Sequence, residues 1–243
     1  MAPTNTGHWP EAGWRFISTP RDNGGSPPGV ELQHSAAPRS IIGHLFDAAN
    51  LLTLAGLLSL TLAITFALRG QFAEAAIGLI LAFFFDGIDG PVASRLSGRT
   101  PDDRAFGANL DSLVDMAGAG VTLAVVLLAY GEFGGWYIPV AFALVGAVAM
   151  RLSYFNIHGL GKEATRYTGL PTDQAIIVFA AVMLLDGLIS RGPFQVVLYG
   201  TSMALVALMV SSLRIPKLTG ASFYAINGAA FVIAALHAVR LVA

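Results

Sequence analysis

"DGIDGPVASRLSGRTPDDRAFGANLDSLVDM" fills residues 86–116, between the apolar runs "AAIGLILAFFF" and "AGAGVTLAVVLLAY". Two greasy segments joined by one polar loop thus carry Asp86, Asp89, Asp111 and Asp115. The first pair is spaced i, i+3 and the second i, i+4, so each lies on one helix face with Cβ atoms about 5–6 Å apart. The loop returns the second helix antiparallel to the first, which brings all four acids to one depth. An Asp at the centre of a spanning helix costs roughly 2.5–3.5 kcal/mol, and less near the interface. Clustered anions also repel one another. A divalent cation cancels that repulsion, and an all-oxygen carboxylate site suits Mg²⁺ or Mn²⁺. Four ligands match two such ions, as in two-metal phosphoryl chemistry. The plainer alternative is a set of interfacial acids that snorkel or pair with Arg95, Arg99 and Arg104. Two helix-spaced pairs around one loop favour function over that alternative, because ionisable residues at membrane depth are functional by default. Gly90, next to Asp89, and Gly107, one turn before Asp111, leave room for a ligand to approach the backbone. Either glycine alone would also serve packing.

Composition supports the membrane reading. Of 243 residues, 55% are hydrophobic and 12% charged, against about 25% charged in an ordinary soluble domain. The absence of cysteine excludes disulfides, thiolate metal sites and cysteine nucleophiles. A net charge of -1 suggests no polyanion-binding surface, so no nucleic-acid partner is expected. His8, His34, His44, His158 and His237 show no ligand spacing, and no Walker or dinucleotide glycine motif is present.

A spanning helix needs roughly 20 mostly apolar residues. The pattern predicts spans at 49–68, 71–96, 107–130, 136–155, 171–190, 194–213 and 221–242. "SIIGHLFDAA" (40–49) alternates apolar and polar faces at helical spacing, as an interfacial amphipathic helix does. The expected fold is therefore all-α. It is a polytopic membrane helix bundle with six core transmembrane helices, a seventh at the C-terminal end and an N-terminal amphipathic interfacial helix. Residues 1–38, with "PRDNGGSPPGVELQ", lack the apolar core of a signal peptide and read as a disordered cytoplasmic tail. Trp9, Trp14 and Phe16 offer the alternative of a tail that touches the membrane surface. Residues 39–218 form the expected membrane domain and 219–243 an additional helix. In this layout Arg15, Arg21, Arg39, Arg95, Arg99, Arg104, Arg151, Lys162, Arg166, Arg214 and Lys217 fall on one side, and Arg69, Arg191 and Arg240 on the other. The positive-inside rule then turns the acidic loop toward the cytoplasm of an inner-membrane, multi-pass protein. Gly118, Gly120 and "AINGAA" indicate close helix packing, and no internal repeat is visible.

Asp86-x2-Asp89-Gly90-x2-Ala93, followed by Gly107-x3-Asp111-x3-Asp115, resembles the signature of the CDP-alcohol phosphatidyltransferases. That signature reads D-x2-D-G-x2-A-R, a spacer, then G-x3-D-x3-D. Its acids and glycines are ones that a spanning helix seldom carries. "NLLTLAGLLSL" (50–60) is similar to the family's first span. "MRLSYFNIHG" (150–159), "YTGLPTDQA" (167–175) and "LMVSSLRIPKL" (208–218) are similar to its phosphatidylserine synthase branch. The family's arginine follows its alanine directly. Here Ser94 intervenes before Arg95 and the spacer is longer. A one-residue slip rotates a helical side chain by about 100°, so Ser94, Arg95 and Arg99 all compete for that arginine's role.

The resemblance implies transfer of a phosphatidyl group from CDP-diacylglycerol to a small alcohol, with release of CMP. L-serine is the acceptor it favours, and inositol phosphate, glycerol phosphate and choline are alternatives. By matched position, Asp86, Asp89 and Asp111 would be metal ligands that hold the pyrophosphate. Asp115 would take the proton of the acceptor hydroxyl while also touching a second Mg²⁺ or Mn²⁺ ion. Gly90 and Gly107 would make room for the cytidine, with Ala93, Ser94 and Arg95 beside it. Membrane lipid and a homodimeric partner are implied with the rest.

Asn50 and Thr53, one turn apart, can touch nucleotide or phosphate, or simply start the first helix. Arg151 and Arg166 can bind a lipid phosphate or an acceptor carboxylate, or act as positive-inside anchors. Asp173, after Pro171, reads as an N-terminal helix acid. Asp186 and Glu132 read as solvated on the opposite side. A cation transporter is the competing class. It would place its acids near the bilayer midplane on broken helices, whereas these acids flank one charged loop. An inactive scaffold is a third reading, opposed by the presence of all four acids.

Overall fold

A computed structural model describes residues 40–159 and 165–242, and the expected tail over 1–38 lies outside them. The described chain is an all-α, multi-pass membrane bundle with one short β-ribbon.

Asp47 starts the bundle. Its side chain accepts from the Ala49 N–H at 3.0 Å and so satisfies an otherwise orphaned donor at the start of α1, Ala48–Leu68. A tight turn at Arg69–Gln71, with Gly70 at φ +75, returns the chain as α2, Phe72–Arg95. The two helices pack along their lengths because small residues line the seam. At Gly78 a Cβ would stand 2.9 Å from both the Ala63 Cβ and the Ser59 carbonyl oxygen.

Thr100 and Asp103 form a reciprocal capping box, with Pro101 in the first turn, and open α3, Pro101–Asp115. The helix widens into a π-helical stretch over Met116–Thr122 and continues as α4, Leu123–Tyr130. The Thr122 hydroxyl donates five residues back to the Ala117 carbonyl at 2.8 Å, as the wider turn requires. α5 spans Tyr137–His158. β1, Arg166–Thr168, pairs antiparallel with β2, Arg214–Pro216, and Gly169 at φ +73 closes so tightly on the Met209 carbonyl that no Cβ fits. α6, Thr172–Val182, runs on through a 3₁₀ turn to Leu185. α7, Arg191–Met209, and α8, Ala221–Val242, complete the bundle.

Among the described residues, six helical segments are long and apolar enough to cross a membrane: α1, α2, the continuous Pro101–Tyr130, α5, α7 and α8. Their outward faces carry Leu58, Phe142, Val196 and Phe231 in the open, as lipid-facing surfaces do. The centre is filled by Leu60, Leu79, Leu123, Leu144, Phe179 and Phe194. The expected span at 171–190 is instead the shorter apolar helix Thr172–Leu185. Its far end finds partners on α8: His237 Nε2 donates to the Ala180 carbonyl at 3.0 Å. The Arg240 guanidinium donates to the carbonyls of Met183, Leu184 and Asp186. Carbonyls left over in a lipid environment would each be costly. The predicted amphipathic helix at 40–49 is a 3₁₀ turn, Ile42–Phe46, because Asp47 ends it by capping α1. It remains two-sided, with Ile42 and Phe46 outward and His44 buried.

A side chain at position 78 would force α1 and α2 apart. Gly78→Leu is expected to destabilise the bundle by about 1–3 kcal/mol, seen as a lower thermal midpoint in detergent. An unchanged midpoint would show that the seam does not hold the pair together.

Candidate active site

α2 brings Asp86 and Asp89 in from one side and α3 brings Asp111 and Asp115 from the other. Carboxylate oxygens of Asp86, Asp89 and Asp111 lie within 4.8 Å of one another. Among the described residues none of the four acids is in an ion pair; Arg99 is held by Asp47 instead. Unneutralised oxygens of this number and spacing fit a hard divalent cation. Asp115, one helical turn beyond Asp111, lines the same cleft as these three and accepts from the Thr172 hydroxyl at 3.0 Å. The single hydroxyl proton of Thr53 on α1 has Asp89 Oδ2 at 2.6 Å and the Ala49 carbonyl at 3.1 Å within reach, and the shorter contact orients the Asp89 carboxylate. Pro91 has no N–H, so the Gly87 carbonyl, one turn back between Asp86 and Asp89, is left without its helical donor.

Two clefts meet at these acids. The first, about 210 Å³, is lined by Asn50, Thr53, Asp89, Gly90, Ala93, Arg99, Arg104, Gly107 and Asp111. The second, about 280 Å³, is lined by Asp86, Asp89, Gly90, Asp111, Asp115, Arg151, Tyr167, Thr172 and Asp173, among others. Burial, reinforced by the neighbouring Asp173, raises the Tyr167 phenol above its usual pKa. At neutral pH it is therefore an O–H donor.

The first cleft thus gathers Asn50, Thr53, Gly90, Ala93 and Gly107, and the second takes in Arg151. Ser94 and Arg95 stand outside both. Helical rotation carries them past the face of Ala93, and the Ser94 hydroxyl and the Arg95 Nη1 each donate back to the Pro91 carbonyl, at 2.8 and 3.0 Å. Arg166 is exposed on β1 and lines neither cleft, because strand alternation turns Tyr167 inward in its place. Asp186, expected to be solvated, accepts from the Tyr130 hydroxyl at 2.6 Å, while Glu132 pairs with Arg191 at 2.9 Å. Sequence reading missed Asp47, Thr172 and Tyr167. The first two carried a signal, since each stands where a helix begins. The pairing of Asp47 with Arg99 had none, because nothing local joins them.

The profile of the CDP-alcohol phosphatidyltransferase family matches residues 46–213. The chain belongs to this family. The matched region contains both clefts and ends before α8. An archaetidylserine synthase from Methanothermobacter thermautotrophicus is 34% identical over 161 residues, covering 65% of this chain. The chain spans 65% of that relative's own length.

If Asp89 holds a metal, the bond from Thr53 predicts a loss of metal affinity with every carboxylate kept. Thr53→Val is expected to weaken Mn²⁺ binding by about 10–100-fold in a calorimetric titration. Equal affinity in variant and parent would show that Asp89 needs no such support.

Proposed function

We propose that this protein transfers a phosphatidyl group from CDP-diacylglycerol to L-serine, giving phosphatidylserine and CMP, with Mg²⁺ or Mn²⁺ required. The observation that carries the reading is the pair of clefts sharing Asp89, Gly90 and Asp111. A two-substrate transfer needs donor and acceptor to meet across one charged centre. The first cleft takes the nucleotide, and Asp86, Asp89 and Asp111 are the residues that would hold a divalent ion. A divalent ion bound there neutralises the charge that develops on the phosphoryl oxygens.

The acceptor lies in the second cleft, with its hydroxyl beside Asp115. Its oxygen forms a bond to the phosphorus that bears the diacylglycerol, and the bond from that phosphorus to the bridging diphosphate oxygen breaks. CMP leaves, and the hydroxyl proton passes to Asp115. Thr172 keeps that carboxylate aimed into the cleft. The acyl chains stay in the bilayer throughout, which a membrane-embedded site permits.

Charge in the second cleft supports serine over the alternatives. Among the described residues Arg151 is the one cation that lines it, and Asp173 lies there too. Arg151 suits a carboxylate and Asp173 an ammonium, which together match a zwitterion. Inositol phosphate and glycerol phosphate bring a dianion that calls for several cations and would be repelled by Asp173. Choline offers no carboxylate. The name of the archaetidylserine synthase relative points the same way, as do "RLSYFN" and "TGLP" in the sequence. The distribution of Lys and Arg supports an inner-membrane location with both clefts open to the cytoplasm. The family resemblance supports a homodimer.

Purified protein in detergent, given CDP-diacylglycerol and Mn²⁺, is expected to release CMP with serine and not with inositol phosphate, glycerol phosphate or choline. Asp115→Asn is expected to lower the rate by about 10²–10⁴-fold. Failure of all four acceptors to give metal-dependent CMP would sink the reading. Release with another acceptor would move the specificity and keep the chemistry.

A further inference from the structure

Arg99 enters the first cleft from the loop after α2, away from the position of the family's arginine. Its Nε lies 2.7 Å from Asp47 Oδ2, and its side chain is only 10% exposed. Nη2 donates to the Asp103 carbonyl at 3.3 Å, while Nη1 has no partner among the described residues. The ground beneath it is fixed as well. Asp47 caps α1, the Asp103 carboxylate closes the capping box of α3 and lies 3.3 Å from His44 Nδ1, and Phe106 stacks on His44 at 4.2 Å. A guanidinium held this way cannot swing to follow a mobile phosphate. It is a fixed donor fork.

Asn50 faces it. The side-chain amide is buried and Nδ2 donates to the His44 carbonyl at 2.9 Å, which orients the group and leaves Oδ1 with no donor among the described residues. Both side chains converge on Gly107. A Cβ there would stand 2.8 Å from Arg99 Nη2 and 3.1 Å from Asn50 Oδ1. Glycine at 107 thus lets both side chains lie against α3, and the fixed donors and the fixed acceptor line the first cleft side by side. The cytosine ring presents the complement: an N4 amino donor, with N3 and O2 as adjacent acceptors. Uracil reverses two of the three positions, with an N3–H donor and an O4 acceptor.

We propose that Arg99 and Asn50 read the edge of the donor's cytosine, Arg99 donating to N3 and O2 and Asn50 Oδ1 accepting from the N4 amino group. Arg99 is then the residue that selects a cytidine over a uridine donor. The proposal rests on the reading of the donor as a CDP-linked lipid. It also divides the cations of this cleft: Arg104, exposed and without an ion pair among the described residues, is left to meet the phosphates.

The test is a calorimetric titration of the full chain in detergent with CMP and with UMP, in the presence of Mn²⁺. The parent protein is expected to bind CMP at least about tenfold more tightly than UMP, since unpaired polar groups in a built site reject the wrong partner. Arg99→Lys keeps the charge and loses the fork, so the two affinities should converge. Asn50→Leu should bring the same convergence from the other side, and the two variants guard against a fold defect in either. Arg104→Ala should weaken both nucleotides alike and keep their ratio. A ratio unchanged in Arg99→Lys and Asn50→Leu, or equal binding of CMP and UMP by the parent, would overturn the proposal. Cytidine selectivity without CMP release from CDP-diacylglycerol would sink the transferase reading alone, whereas a parent that binds neither nucleotide would overturn both.

Discussion

Three carboxylate oxygens from two different helices sit within 4.8 Å of one another, and everything else in the bundle is arranged to hold them there. Like charges at that separation push apart more strongly in a medium of low dielectric than in water. A pair of free helices would answer by rotating the acids away from each other. Here rotation is blocked on both sides. α2 is locked to α1 through the small-residue seam at Gly78 and through the bond from Thr53 to Asp89. α3 is set by the capping box at Thr100 and Asp103, which fixes where its first turn begins and therefore which way Asp111 faces. The fold holds the three acids together, and a cation bound among them would offset their repulsion.

Much of this was legible in the sequence, because it rests on periodicity. The spacing of Asp86 with Asp89 and of Asp111 with Asp115 placed each pair on one face, and the apolar runs around them fixed the class of fold. What the sequence concealed depends on long-range or competing contacts. Arg99 pairs with Asp47 across 52 positions of the chain, and no local rule links an N-cap acid to a loop arginine. The segment at 171–190 has the composition of a span yet ends its α-helix at Val182, because α8 supplies donors for its last carbonyls. Tyr167 takes the inward place on β1 and leaves Arg166 outside. Only the pairing of β1 with β2 decides that alternation.

The departure from the family's arginine has a physical reading once the loop is seen. Ser94 and Arg95 spend their donors on the Pro91 carbonyl of their own helix. A longer spacer lets Arg99 reach back into the cleft from the opposite wall, where Asp47 catches it. A guanidinium that arrives from a loop is free to be positioned by its partner. One that projects from a helix takes the direction its helix gives it.

The shortness of α6 is tied to the same centre. Two hydrogen bonds pin it beside the long helix: Thr172 to Asp115 at one end and Tyr130 to Asp186 at the other. The partners are 57 residues apart in the first bond and 56 in the second, so the long helix spends one residue more than α6 over the same interval. The π-helical stretch Met116–Thr122 lies within that interval, and a π turn is how a helix absorbs a single extra residue without losing its axis. A helix long enough to cross the membrane alone would carry its N-terminus out to the interface. α6 instead begins at the depth of Asp115, so Thr172 and Asp173 meet the cleft from within the bundle. The anchoring of its far end by His237 and Arg240 makes that depth sustainable, and it links α8, beyond the family's matched region, to the geometry of the carboxylates.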